Sequence, residues 1–271
     1  MRPFRVLLLG LLVLALGACQ SFPTKAPISE RLQRVLESRE LRVGLSGNQP
    51  PLNMKNKRGE IIGLEVDLVK ALAHAMGLEV RLVVTPFADL LPALEEGEVD
   101  MVISGMTITP ERNARVAFAG PYFISGKSVL SKSKKIASVE SASALDDPSL
   151  TYAALAGSTS EKFVKDVLPQ AQLVTTSDYD AAVQMVIDDA VDALVADFPI
   201  CKVSMMRHPE AGLSALMTPF TVEPLGIALP PGDPLFVNLV QNYLTTLENT
   251  GMLTQFKAKW FSYGSWVSEL P

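Results

Sequence analysis

Short strand-like segments alternate with amphipathic helical ones along most of this chain, and that order restricts the fold more than any other feature. "LRVGLS" (41–46) leads to "GLEVDLVKALAHAM" (63–76), in which Leu64, Leu68, Leu72 and Met76 fall on one helix face. Glu65 and Asp67 stand in the first turn of that helix, where negative charge suits the helix dipole. "LEVRLVV" (78–84) is the next strand. "FADLLPALEEG" (87–97) reads as a helix interrupted near Pro92 and stopped by Gly97, and "VDMVIS" (99–104) as a buried strand.

A strand-like crossing at "SVLSKS" (128–133) opens a second series. "LTYAALAG" (150–157) leads into "STSEKFVKDVL" (158–168), where Ser158 or Thr159 can cap the helix and Glu161 is spaced for a capping box. "AQLVTT" (171–176) leads into "SDYDAAVQMVIDD" (177–189), with Tyr179, Val183, Val186 and Ile187 on one face, and "VDALVAD" (191–197) ends the series at Asp197. The chain returns through "FTVEPLGIALP" (220–230). It closes with a helix in "GDPLFVNLVQNYLTTLENTG" (232–251), capped by Asp233, with Pro234 in its first turn and Gly251 past its end. This order predicts an α/β fold with parallel-rich sheets and helices on both faces. Two crossover strands imply two lobes with a cleft between them, and ligands of such sheets bind beyond the carboxyl ends of the strands.

The first eighteen residues read as a leader: Arg2 and Arg5, then an apolar core from Leu7 to Leu16. That core is shorter than the roughly 20 residues a membrane-spanning helix needs. Its ending, Leu16-Gly17-Ala18-Cys19, resembles the bacterial lipobox and predicts cleavage before a lipid-bearing Cys19. "SFPTKAPIS" (21–29) is a tether in composition. The expected organisation is a leader over 1–18, the tether and a first helix over 19–37, a first lobe over 38–127, a second over 128–221, and a return to the first over 222–271.

The chain holds 24 basic and 29 acidic residues; without Arg2 and Arg5 the balance is 22 to 29, a net charge of −7. No basic patch suits nucleic acid, and "KSKK" (132–135) reads as a solvated turn. With Cys19 acylated, Cys201 is the one thiol left and reads as a small buried residue. His74 and His208 lack metal-ligand spacing, so neither metal nor cofactor is expected.

The densest cluster of chemistry is "GMTITPERNARVAFAGPYF" (105–123), which sets Arg112 after a Thr-x-Thr-Pro turn and before an apolar run. A guanidinium is a planar fork of donors that grips a carboxylate at two points and stays charged. The bland alternative is a surface helix arginine paired with Glu111 or another acid. "GLEVDLVKALAHAM", "LLPALEEGEVDMVISGMTITPERNARVAFAGPYF" and "GMLTQFKAKWF" together resemble the family 3 extracellular solute-binding proteins, from about Leu41 to Phe261.

The resemblance implies a two-lobe periplasmic-binding-protein fold of type II and a non-catalytic role. A small polar α-amino acid would bind in the cleft and pass to the transmembrane subunits of an ABC permease. The setting implied is the periplasm or cell envelope, with a lipid anchor to a membrane; Gln20 after Cys19 points to the outer membrane of a Gram-negative cell. A monomer is expected. In this frame Arg112 takes the ligand's carboxylate, joined by the hydroxyl and N–H of Thr107, with Gly105 allowing close approach. Thr159 offers a helix start from the second lobe, and Asp197 matches the acid that receives the ammonium, with a helix cap as its alternative. The aromatic residue usual in the first loop is replaced by Gln49, a candidate to read a polar side chain or else an exposed loop residue. Phe87 could supply the apolar wall, with a core residue beside a helix start as its alternative. A second reading is an enzyme resembling the cyclohexadienyl (arogenate/prephenate) dehydratases. Their counterpart of "GSTSEKF" is usually Gly-Gly-Thr-Asn-Glu, which points to Glu161 but finds Ser160 in place of the asparagine.

Overall fold

The computed structural model describes residues 29–271; the leader, Cys19 and nearly all of the tether lie outside the described residues. Helix α1 (Glu30–Ser38) comes first, its end capped by Ser29 Oγ accepting from Leu32 N–H. Strand β1 (Glu40–Leu45) runs into a small antiparallel ribbon of β2 (Asn48–Gln49), β3 (Asn53–Lys55) and β4 (Ile61–Ile62). Helix α2 (Leu64–Met76) follows, then β5 (Glu79–Val84), α3 (Leu90–Glu96), β6 (Met101–Val102), the one-turn α4 (Pro110–Asn113) and β7 (Ala117–Ser125).

After Gly126 the chain enters a second sheet through β8 (Lys127–Ser131), continuing with β9 (Thr151–Leu155), α5 (Thr159–Val167), β10 (Gln172–Thr176) and α6 (Tyr179–Ile187). Next come β11 (Ala193–Asp197), α7 (Phe198–Arg207) and β12 (Ser214–Ala215). It returns as β13 (Glu223–Leu229), followed by α8 (Pro234–Asn249) and α9 (Met252–Phe261).

Each lobe is built on a five-stranded sheet. The first has the order β5-β1-β6-β13-β7, with β1 parallel to β5 and β6 and the returning β13 antiparallel to its neighbours. The second has the order β10-β9-β11-β8-β12, with β9 parallel to β10 and β11 and the crossing strand β8 antiparallel to β11. Fold class and architecture are therefore those the alternation implied. The two crossings run side by side: Lys127 N–H donates to Thr221 Oγ1 (3.0 Å) and Phe220 N–H to Lys127 O (2.9 Å). A methyl group on Gly126 would collide with the Thr221 carbonyl, so the closeness of these strands requires glycine there.

Leu64, Leu68 and Leu72 of α2 are buried with Leu41, Val43, Phe236, Val240 and Trp260, which packs α2, α8 and α9 on the first sheet. Two expectations are corrected. Helix α3 is not interrupted at Pro92: a 3₁₀ turn (Phe87–Asp89) precedes it and Pro92 falls in its first turn, where a missing N–H breaks no helical bond. The strand at 99–104 shrinks to Met101 and Val102, because Asp100 turns its carboxylate onto Arg42 N–H (2.9 Å) and Ser104 Oγ takes the N–H of Ser46 (2.9 Å).

Asp233 caps α8 by accepting from Phe236 N–H (3.0 Å) and also accepts from Ser29 Oγ. Losing such a cap costs about 1 kcal/mol. Asp233→Ala should lower the melting temperature by about 2–4 °C in a calorimetric scan.

Candidate functional site

Two acids of α2, two positions apart, sit about 200° apart around the helix and do different work. Glu65 points inward, fully buried, and accepts from Gly105 N–H (2.7 Å), Tyr122 Oη and Asn53 Nδ2. Burial pushes its carboxyl up, and the three donors oppose that rise. Asp67 points to α9 and accepts from Lys259 Nζ and Trp260 Nε1, both at 2.7 Å. Glu65 thus fixes the loop after β6, while Asp67 fastens the C-terminal helix. Reading both as first-turn dipole partners missed this division.

Held by Glu65, Gly105 adopts φ +57°, and a methyl group there would collide with Gln49 Oε1. Gln49 is buried rather than an exposed loop residue; its Nε2 donates to Ser46 Oγ and Ser104 O, each at 2.9 Å. It braces the Gly105 loop from behind.

Two residues on, Thr107 bridges to Leu225 as the non-hydrogen-bonded member of an antiparallel pair. The flanking bonds are Ile108 N–H to Pro224 O (2.8 Å) and Gly226 N–H to Met106 O (3.0 Å), so this pairing leaves the Thr107 N–H unused. Thr109 then caps α4, accepting from Arg112 N–H (3.2 Å), and Pro110 starts the helix.

This turn aims Arg112 across the seam between the lobes. Its Nη1 donates to Thr107 O (2.9 Å) in the first lobe and its Nη2 to Gly157 O (3.0 Å) in the second. The guanidinium carbon lies 5.6 Å from the centre of the buried Phe87 ring. Among the described residues no ion pair includes Arg112, so the pairing with Glu111 does not form. Burial pulls the guanidinium below its ordinary range, opposed by the fields of Glu223, Glu111 and Asp197.

From the second lobe, Gly157 (φ +72°) lies so near Ala88 that even a methyl group would press on the Ala88 Cα. Ser158, not Thr159, caps α5, accepting from Ser160 and Glu161 N–H. Thr159 Oγ1 is left free of that task and stands 3.3 Å from Thr107 Oγ1 of the other lobe. Glu161 reaches back to Gly157 N–H (2.6 Å) and pairs with Lys165. A groove of about 630 Å³ lies along this seam, lined by Phe87, Leu91, Met106, Arg112, Thr159 and Glu161 among others, within the range of small-molecule sites.

Asp197 stands apart from this group. It is buried at the end of β11, directly opposite Lys127 in the β8–β11 register, and takes the Lys127 ammonium. Although it occupies the N-cap position of α7, its side chain makes no capping bond. The structure therefore brings together Arg112, Thr107, Thr159 and Phe87, sets Gly105 and Gln49 one layer behind, and ties Asp197 to a lysine. Lys127 and Glu223, its second acid at 3.7 Å, were not foreseen. Cys201 is buried, its thiol pushed up to about 12 by that burial, and is no nucleophile.

Comparison with known proteins agrees with this architecture. The chain is 28% identical over 262 residues to a cyclohexadienyl dehydratase of Pseudomonas aeruginosa, covering 97% of this chain and 96% of that protein. A putative binding component of an ABC transporter from Wolinella succinogenes, complexed with lysine, superposes with a TM-score of 0.80 at 37% identity, over 84% of this chain and all but 2% of that one (98%). An ancestral amino acid-binding protein, described as a precursor of cyclohexadienyl dehydratase, superposes with a TM-score of 0.78 at 34% identity, over 86% of this chain and 100% of that one. Residues 41–263 match the family model itself, and the chain accordingly belongs to the bacterial extracellular solute-binding proteins, family 3.

Proposed function

We propose that this protein binds a small α-amino acid between its lobes, with the ligand's carboxylate on Arg112, and delivers it to the transmembrane subunits of an ABC permease. It works as a monomer in the cell envelope, held to a membrane by lipid on Cys19. The observation that carries this reading is a fork of donors at the seam that pairs with no acid among the described residues and rests on two backbone carbonyls. Those are weaker partners than a carboxylate, which adds a full negative charge and can accept from both prongs of the fork at once. The Thr107 N–H and the Thr107 and Thr159 hydroxyls supply neutral donors beside it, and the Phe87 ring an apolar wall.

The lobes belong to one chain linked by two strands, so a ligand held by both favours the closed arrangement by its differential affinity. A thermal-shift screen of the mature protein, freed of co-purified ligand, tests the reading. At least one α-amino acid should raise the melting temperature, because a ligand of the native state stabilises it by mass action; a flat response across the common amino acids would reject it.

A second reading follows from the long match to the dehydratase: elimination chemistry with Glu161 as the acid. Burial works against the charge of Glu161, but hydrogen bonds from Lys165 and Gly157 N–H outweigh it and hold the carboxyl below its ordinary range. An ionised carboxylate at neutral pH accepts protons and does not donate one to a leaving hydroxyl. Incubation with prephenate or arogenate should therefore release no phenylpyruvate or phenylalanine; their appearance would reverse the ranking.

A further inference from the structure

We propose that Lys127 is a specificity-determining residue that restricts the cleft to amino acids without a cationic side chain. The inference rests on the amino-acid reading above and narrows its ligand class. Lys127 is 2% exposed and lies at the first crossing strand, its ammonium pairing with Asp197 and standing 3.7 Å from Glu223 of the return strand. Glu223 also accepts from the Thr221 hydroxyl (2.8 Å).

Formal charge decides the matter. Arg112 and Lys127 contribute two positive charges, Asp197 and Glu223 two negative ones, and these four groups balance without a ligand. The buried Glu65 behind the Gly105 loop is taken up by Gly105 N–H, Tyr122 and Asn53. The other charged groups round the seam are committed or outside: Glu161 pairs with Lys165, Arg115 with Glu95 and Lys162 with Asp166, while Glu111 is exposed. A zwitterion keeps the balance, its carboxylate on Arg112 and its ammonium on the side of the two acids. A lysine or arginine ligand brings one more positive charge, with no uncommitted acid at the seam left for it, and an uncompensated buried charge is strongly unfavourable. Lys127 already occupies the place that a second ammonium would take.

Isothermal titration of the wild-type protein with neutral amino acids, lysine and arginine is the test, repeated on Lys127→Met, which removes the charge and keeps an unbranched stem. The wild type should bind its best neutral ligand at least about tenfold tighter than either cationic one. In Lys127→Met that ratio should move at least about tenfold toward lysine and arginine. Two results overturn the proposal: a wild type that binds a cationic amino acid as tightly as any neutral one, or a variant that weakens every ligand by the same factor, as a purely structural lysine would. If Lys127→Met does not fold, the wild-type ratio alone decides. Binding of no amino acid by the wild type defeats the parent reading and this one together, whereas a preference for cationic ligands defeats this one alone.

Discussion

Arg112→Ala should abolish the ligand-dependent rise in melting temperature while changing the ligand-free melting point little. Two charge-assisted hydrogen bonds to a carboxylate are lost, each contributing roughly 1.5–3 kcal/mol. Part of that is offset because the wild-type guanidinium must give up Thr107 O or Gly157 O to make them. A net loss of about 3 kcal/mol lowers affinity by roughly a hundredfold or more. At a ligand concentration about 100 times Kd, the wild type gains about 2.7 kcal/mol, a shift of about 5–10 °C at this chain length. The variant at the same concentration gains a few tenths of a kcal/mol, at the edge of detection. Arg112→Lys should fail to restore the shift, because a point charge cannot replace a two-pronged donor. A lysine variant with wild-type affinity would mean that charge, not geometry, holds the ligand.

The second large effect is expected away from the groove. Glu65→Ala leaves Gly105 N–H, Tyr122 Oη and Asn53 Nδ2 without their acceptor in a fully buried place. At 1–3 kcal/mol per orphaned group, less the relief of no longer burying a carboxyl, the loss is about 3 kcal/mol or more. The melting temperature should fall by about 6–12 °C. Asp67→Ala removes an acceptor at a half-open site and should cost about 1 kcal/mol.

The gap between Glu65→Ala and wild type should also depend on pH, and the sign follows from burial. The folded-state carboxyl titrates above the unfolded value, which is about 4.3. Its contribution is therefore fully present below that value and is lost as pH rises through the folded one. The gap should be widest in acid and narrow toward neutral pH; a gap that widens with pH would mean that Glu65 is stabilised as the anion.

Helices α2 and α6 were legible because their apolar residues recur at helical spacing, and α5 and α8 through the caps offered by Ser158 and Asp233. The crossings were legible as strands outside the alternating order. Pro92 misled because its cost depends on position within the helix, which the sequence does not state. Arg112 stood out through a local motif, and Thr107 and Thr159 through the family resemblance. Glu65 did not, since a buried acid and an exposed one in a first turn look the same until the helix is rotated into place. Lys127 was invisible for a similar reason. Its two acids lie far along the chain, at the end of β11 and the start of β13, and only strand pairing sets them around one ammonium.

A crystal structure of the mature protein with the amino acid that ranks first in the binding screen would decide whether Arg112 does what is proposed for it. Both terminal nitrogens should lie within hydrogen-bonding distance of the ligand's carboxylate oxygens, with the Thr107 N–H and the Thr159 end of α5 on the same group. A carboxylate bound elsewhere, with the guanidinium still resting on Gly157 O or turned to solvent, would contradict it.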